Sequence, residues 1–108
     1  MDNSTMISTI RKILLEGDSV SDDAITFYIS LVKDMVRTRC KAEIYPVEMD
    51  HIAIDVVVSF INRRGKEGFS SESEGDIRTD MLGNLLAPYA ADFDAFAKSQ
   101  GAGKMRFL

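Results

Sequence analysis

The segment that most constrains the fold of this chain spans residues 48–64. If it is helical, apolar side chains cover most of its circumference. Its polar residues form one narrow stripe, which consists of His51, Asp55, Ser59 and Asn62. Its length and its i, i+3/i+4 spacing favour a helix over the strand that its β-branched residues would also permit. Because a small bundle can rarely cover every side of one helix, we expect a surplus apolar face, with Ile54 and Val58 on it, that contacts a partner subunit.

Two amphipathic helices are predicted before this segment. The first spans residues 4–16, with Ser4 as its N-cap and Gly17 just beyond its end. The second spans residues 21–40 and begins with Ser21 as its N-cap, followed by two aspartates that suit a helix N-terminus. Its apolar stripe consists of Ile25, Tyr28, Ile29, Val32, Met35, Val36 and Cys40. Residues 41–47 are predicted to be an extended connector, because Pro46 disfavours helical geometry in the residue before it.

The C-terminal part of the chain changes composition abruptly. Residues 65–80 are rich in glycine, serine and acids, which predicts a long loop or arm. A last helix is predicted over residues 81–99, and Pro88 either kinks it or occupies its first turn. Gly101 and Gly103 then predict an extended tail over residues 100–108.

These elements define an all-α fold class, a small bundle of about four helices in a single domain over residues 1–108. A long Gly/Ser/acidic loop separates helices 3 and 4. Cys40 has no partner for an internal disulfide and is expected to be a buried thiol in a reducing compartment. No apolar run approaches the ~20 residues that cross a bilayer, and the N-terminal residues lack the basic start of a secretion signal, so we expect no membrane partner.

The sequence offers no convincing set of catalytic, cofactor-binding or metal-binding residues. His51 and Asp55 are four positions apart and could form a dyad, but the same spacing suits a surface or interface hydrogen bond. One histidine and one cysteine fall short of a zinc site. The glycines after residue 64 stand among acids and follow a helix, unlike phosphate-binding loops. We therefore expect no enzyme activity and no cofactor.

Net charge limits the possible partners. The formal charge of −4 argues against a dedicated duplex-DNA binder. One alternative stays open, a small helical nucleic-acid-binding or packaging-regulatory protein. It requires Arg37, Arg39 and Lys41 to join Arg63 and Arg64 in one basic patch.

Several ordered motifs carry a resemblance to a known family. They are Tyr45-Pro46-Val47-Glu48, the apolar helix with Ile52, Ile54, Asp55 and Val57, the run Asn62-Arg63-Arg64-Gly65-Lys66-Glu67-Gly68, then Ser70, Ser73 and Glu74-Gly75. An acidic, aromatic stretch, Asp92-Phe93-Asp94-Ala95-Phe96, and the ending Lys104-Met105-Arg106-Phe107-Leu108 follow. In this order the chain resembles the head-to-tail connector proteins of tailed bacteriophages, which are also described as adaptor or head-completion proteins.

The resemblance implies a structural protein at the head–tail interface of the virion, assembled in the host cytoplasm. It implies a homo-oligomeric ring of about twelve subunits beneath the portal protein. That ring would extend the DNA exit channel, let DNA pass without specific binding and carry a stopper or tail-completion protein. The predicted subunit or partner interface consists of Ile54, Val58, Arg63, Arg64, Glu67, Phe69, Ser70, Ser73, Glu74, Arg106, Phe107 and Leu108.

Overall fold

The structure, a computed structural model, describes the backbone of residues 1–14, 20–67 and 74–105 and the side chains of residues 1–14, 20–63 and 78–99. All regular elements in these ranges are helical, which confirms the predicted all-α class. The α-helices are α1 (Asn3–Ile13), α2 (Asp22–Arg39), α3 (Asp50–Glu67), α4 (Glu74–Leu86) and α5 (Ala90–Met105). Two short 3₁₀ turns, Val47–Met49 and Ala87–Tyr89, precede α3 and α5.

Side-chain caps fix the starts of α1 and α2. Asp2, rather than the predicted Ser4, caps α1, because its carboxylate accepts a 2.7 Å hydrogen bond from the Thr5 backbone N–H. This bond lowers the pKa of Asp2. Ser21 caps α2 as predicted, through a 3.1 Å bond from the Ala24 N–H. The helix α1 ends at Ile13, earlier than predicted, and the predicted Gly17 stop lies outside the described residues.

A left-handed residue ends α2. Lys41 has a φ of 55°, and the N–H groups of Lys41 and Ala42 donate to the carbonyls of Thr38 and Arg37. This pair of bonds is the Schellman arrangement that closes a helix C-terminus. Pro46 then prevents an early restart of helical geometry, and the 3₁₀ turn at Val47 leads into α3. The predicted break between the second and third helices is therefore confirmed.

The helix α3 is central and contacts α1, α2 and α4. Its apolar side chains are all buried: Ile52, Ala53, Ile54, Val56, Val57, Val58, Phe60 and Ile61. The expectation that α3 exposes a surplus apolar face was wrong, since Ile54 and Val58 are each only 7% exposed in the single chain. Three neighbouring helices suffice to enclose a helix that is apolar nearly all round. Cys40 belongs to the same core at 0% exposure, as predicted, and burial raises the pKa of its thiol.

The predicted arm over residues 65–80 is too long. The backbone of residues 65–67 continues α3, and residues 74–80 form the first turns of α4. Acidic residues suit the N-terminus of a helix because its dipole favours negative charge there. A tertiary contact also holds this part of α4, since the Arg78 guanidinium lies 5.0 Å from the centre of the Phe27 ring on α2. The central part of the predicted arm, residues 68–73, lies outside the described residues.

The predicted last helix over residues 81–99 is two helices. Pro88 is the middle residue of the 3₁₀ turn Ala87–Tyr89, which separates α4 from α5. It therefore neither kinks a continuous α-helix nor lies in the first turn of α5. The predicted extended tail also begins later, because α5 continues to Met105 through Gly101 and Gly103. Each glycine lowers helix stability by about 1 kcal/mol relative to alanine but does not forbid a helix.

Gly83 offers a stabilising substitution in α4. A Cβ built there meets only the Arg39 guanidinium, at 3.5 Å, which is an ordinary contact with the end of a flexible side chain. We expect Gly83→Ala to raise the free energy of unfolding by about 0.5–1 kcal/mol, because alanine loses less backbone entropy in a helix. Urea denaturation followed by circular dichroism measures this change. An unchanged or lower midpoint would show that Arg39 cannot accommodate the methyl group.

Candidate partner-binding surface

The connector between α2 and α3 is fastened at both ends. The Arg37 guanidinium donates a 3.2 Å hydrogen bond to the Ala42 carbonyl. Further along, the Tyr45 hydroxyl donates a 2.7 Å bond to Asp50 Oδ1, and the Lys33 ammonium lies 5.1 Å from the centre of the Tyr45 ring. Two points of attachment give this connector a defined shape.

Asp50 is the buried anchor of this arrangement. The whole residue is 8% exposed, and its second oxygen lies 3.0 Å from the Met1 ammonium. A buried carboxylate needs such partners to offset the loss of hydration. Burial and then the hydrogen bond to Asp50 raise the pKa of Tyr45 well above its ordinary value, so this hydroxyl remains a donor even at alkaline pH.

The connector and the 3₁₀ turn that follows it present apolar side chains to solvent. Ile44 is 82% exposed and Val47 is 63% exposed. Together with Phe96 of α5 they line an open groove of about 430 Å³, whose other lining residues are Lys41, Ala42, Glu43, Tyr45, Pro46 and Glu48. Apolar residues held outward by a fastened loop form a preorganised contact surface, because little conformational freedom is lost when a partner binds.

A second groove lies beside the first. It has a volume of about 360 Å³, and its lining residues are Glu48, Met49, His51, Ile52, Asp92, Ala95 and Phe96. The two grooves share Glu48 and Phe96, so the partly buried Phe96 ring lies between them. We name the two together the connector groove. Its rim carries three carboxylates, Glu43, Glu48 and Asp92, against the single ammonium of Lys41.

In the structure Asp55 accepts a hydrogen bond from Tyr89, which is not the His51–Asp55 pair that the sequence spacing allowed. The Tyr89 hydroxyl donates a hydrogen bond to Asp55 Oδ2, which ties the turn between α4 and α5 to α3. This bond, followed by loss of hydration and the negative charges of Asp55 and Asp92, raises the pKa of Tyr89 to about 12. His51 is exposed and lines the connector groove.

The raised pKa of Tyr89 makes stability depend on alkaline pH. Tyr89 contributes its full stabilisation below the ordinary tyrosine pKa of 10.0, and this contribution is lost as pH rises towards about 12, because the unfolded chain releases the proton first. We expect the free energy of unfolding of Tyr89→Phe to decrease less than that of the wild type as the pH rises through this range. In a spectrophotometric titration the variant should lack one tyrosine that ionises near 12. Identical wild-type and variant stability profiles would contradict the assignment.

The predicted interface residues fall into four groups in the structure. Ile54 and Val58 are core residues, as described above, whereas Arg63 is exposed near the end of α3. The backbones of Arg64 and Glu67 belong to α3 and that of Glu74 to α4. The remaining predictions lie outside the described residues: Phe69, Ser70, Ser73, Arg106, Phe107 and Leu108. Their role in an interface stays a prediction.

Sequence reasoning missed the connector groove. Its signal was present in Ile44 and Val47, two apolar residues beside Pro46 in a segment predicted to be neither helix nor strand. Apolar residues in a connector are commonly assigned to the core, and only the exposures distinguish the two cases. The contribution of Phe96 depends on how α5 packs, which local sequence pattern does not specify.

Among the residues whose side chains the structure describes, the arginines of α2 are not brought to Arg63, as the nucleic-acid alternative requires. The Tyr28 ring in the first half of α2 meets the Phe60 ring in the second half of α3 edge to face at 5.0 Å. The short connector joins the end of α2 to the start of α3, so the two helices run antiparallel. At a rise of 1.5 Å per residue, Arg39 and Arg63 are therefore separated by roughly 20 Å along the helix axes. Arg37 is also engaged with Asp34 at 2.9 Å.

The described part of the chain offers neither a metal-binding cluster nor a membrane span. No three His, Cys, Asp or Glu side chains lie close enough there to hold a metal ion. Among the described helices, none combines the length and hydropathy of a membrane span.

An all-helical bundle with a preorganised apolar groove has the features of a protein that contacts a macromolecular partner. A family model described as "Phage gp6-like head-tail connector protein" matches residues 5–95. The chain belongs to this family of structural phage head–tail connector proteins, which confirms the resemblance seen in the sequence. No curated protein and no solved structure matches the chain.

Proposed function

We propose that this chain forms a ring beneath the portal of a tailed phage, extends the DNA exit channel and links the head to the stopper or tail. The connector groove carries the proposal, because a member of a structural connector family presents there a fastened apolar surface suited to a protein contact. Interfaces are centred on such apolar anchors and rimmed by polar groups. The chain would reside in the virion after assembly in the host cytoplasm.

The charge of the chain supports passage of DNA without specific binding. A net charge of −4 gives a repulsive contribution towards a polyanion, and Arg39 of α2 lies roughly 20 Å from Arg63 of α3 along the helix axes. We further propose that Arg63, Arg64, Glu67 and Glu74, together with the residues between α3 and α4, contribute to contacts in the ring.

The test is co-sedimentation of the purified chain with the portal ring encoded in the same genome, followed by electron microscopy of the pellet. We expect saturable binding and an added ring of density. The double variant Ile44→Asp/Val47→Asp should lose this binding, because two charges in the groove must be desolvated at the contact.

A matched control separates the groove from general charge effects. Ser30→Asp/Asn84→Asp adds the same two charges at exposed positions of α2 and α4 outside the groove lining and should bind like the wild type. Absence of wild-type binding at high micromolar concentration would overturn the proposed function. Equal binding by the groove variant would remove the groove as the contact surface.

A further inference from the structure

Two apolar side chains of the connector region project from the surface. Ile44 is 82% exposed and Val47 is 63% exposed, whereas every other large apolar side chain among the described residues is at most 50% exposed. A side chain with so few contacts in its own chain stands out into solvent. Ile44 and Val47 are therefore walls of the connector groove, and their shape suits insertion into a depression on another molecule.

A carboxylate stands directly beside each of these side chains. Glu43 precedes Ile44 and Glu48 follows Val47 in the sequence, and both glutamates are exposed and line the same groove. We name these four residues the connector tip. Because the connector is held at Ala42 and Tyr45, the tip loses little conformational freedom when it meets a partner.

The other charges near the connector tip are largely engaged within the chain. Asp50 is buried, and its Oδ2 lies 3.0 Å from the Met1 ammonium, so it adds little to the charge of the tip. The Lys33 ammonium lies against the Tyr45 ring. Lys41 is the one lysine among the described lining residues of the connector groove, against three carboxylates. The tip therefore presents an apolar pair between two acids.

This pattern specifies the chemistry of the complementary surface. The apolar pair calls for an apolar depression, and the two glutamates call for lysine or arginine side chains at its edge. A second copy of the chain is poorly suited to supply them. Each copy carries a net charge of −4, and Arg11 and Arg37 are already paired with aspartates of their own chain.

We infer that the connector tip inserts into an apolar depression on the portal protein, and that cationic side chains form the edge of this depression. Ile44 and Val47 enter the depression, and Glu43 and Glu48 meet the cations. The inference rests on the proposed function in one respect, that the portal is the partner. The apolar pair supplies affinity through burial, and the carboxylates supply orientation and speed of association through charge.

The test measures binding of the chain to the purified portal ring from the same genome at low and high salt. We expect Glu43→Gln/Glu48→Gln to weaken binding about threefold to tenfold at about 0.05 M salt and less than about twofold at about 0.5 M, because salt screens exposed charge pairs. Ile44→Ala/Val47→Ala should weaken binding about tenfold or more at both salt concentrations, because burial of apolar surface is not screened.

A charge-matched variant is the control. Asp23→Asn/Asp80→Asn removes two negative charges at exposed positions of α2 and α4 outside the groove lining, and it should bind like the wild type at both salt concentrations. A loss equal to that of Glu43→Gln/Glu48→Gln would assign the salt effect to net charge and overturn the inference. Circular dichroism of each variant checks that the helices are retained.

The outcomes separate this inference from the proposed function. Wild-type binding that neither pair of tip substitutions weakens overturns the inference and leaves the proposed function standing. Tighter binding by Glu43→Gln/Glu48→Gln would place acids opposite the tip and also overturn it. Absence of wild-type binding overturns the proposed function and, with it, the portal as partner. In sedimentation of the free chain, an oligomer that Ile44→Ala/Val47→Ala disperses would assign the tip to a second copy instead.

Discussion

Val57→Asp is expected to prevent stable folding of this chain. Val57 is 0% exposed and lies in α3, which contacts α1, α2 and α4. An aspartate there must either bury a charge or fold as the neutral acid, and it also loses the packing of the valine side chain. We expect the free energy of unfolding to fall by about 4 kcal/mol or more, which is a large share of the stability of a small domain.

The control for this variant changes an exposed residue of the same helix. His51→Asp introduces the same side chain in the first turn of α3, where the position is exposed and the helix dipole favours negative charge. Its unfolding midpoint should stay close to that of the wild type, and His51→Ala should behave similarly. Circular dichroism and sedimentation of the variants make the comparison. A folded Val57→Asp chain with a wild-type midpoint would contradict the central position of α3.

Phe60→Ala is expected to have the second largest effect. Phe60 is one of the two largest fully buried side chains among the described residues, and its ring meets Tyr28 edge to face at 5.0 Å. Truncation removes the apolar contacts and the ring pair and leaves a cavity between α2 and α3. We expect a loss of about 3–5 kcal/mol in the free energy of unfolding, measured by urea denaturation.

Phe27→Ala is the matched comparison for this truncation. Phe27 is also an aromatic neighbour of Tyr28, at 6.0 Å, but it is 50% exposed and its other contact is with Arg78. Its loss should cost about 1 kcal/mol or less. A loss of only about 1 kcal/mol for Phe60→Ala would show that the site collapses to fill the cavity.

The helices of this chain could be predicted where the local pattern and the packing agree. The stripe of α2 and the break at Pro46 follow directly from side-chain periodicity and proline geometry. The start of α4 could not be predicted, because residues 74–80 have the composition of a loop and are helical in the context of contacts such as Arg78 with Phe27. The glycines of α5 disfavour a helix locally, yet the backbone is helical through Gly101 and Gly103.

The candidate site was predictable in class but not in location. Ordered motifs indicated the family, and the family match confirms it. The apolar character of α3 was correctly recognised but assigned to a partner contact, because periodicity cannot show how many neighbours a helix has. The two most exposed of the described large apolar side chains, Ile44 and Val47, lie instead on the connector and the 3₁₀ turn after it, on either side of the buried Pro46.

The bonds at Ala42 and Tyr45 hold the connector in place without the exposed apolar side chains. In a small protein, fold stability and partner contact often depend on the same residues. The bonds from Arg37 and to Asp50 maintain the loop, and neither involves the Ile44 or Val47 side chain. Substitutions at these two exposed positions should therefore leave the stability of the bundle largely unchanged. A lineage that acquires a different partner could adapt through these positions while the sequence of α3 stays constant, so the connector is where related chains should diverge first.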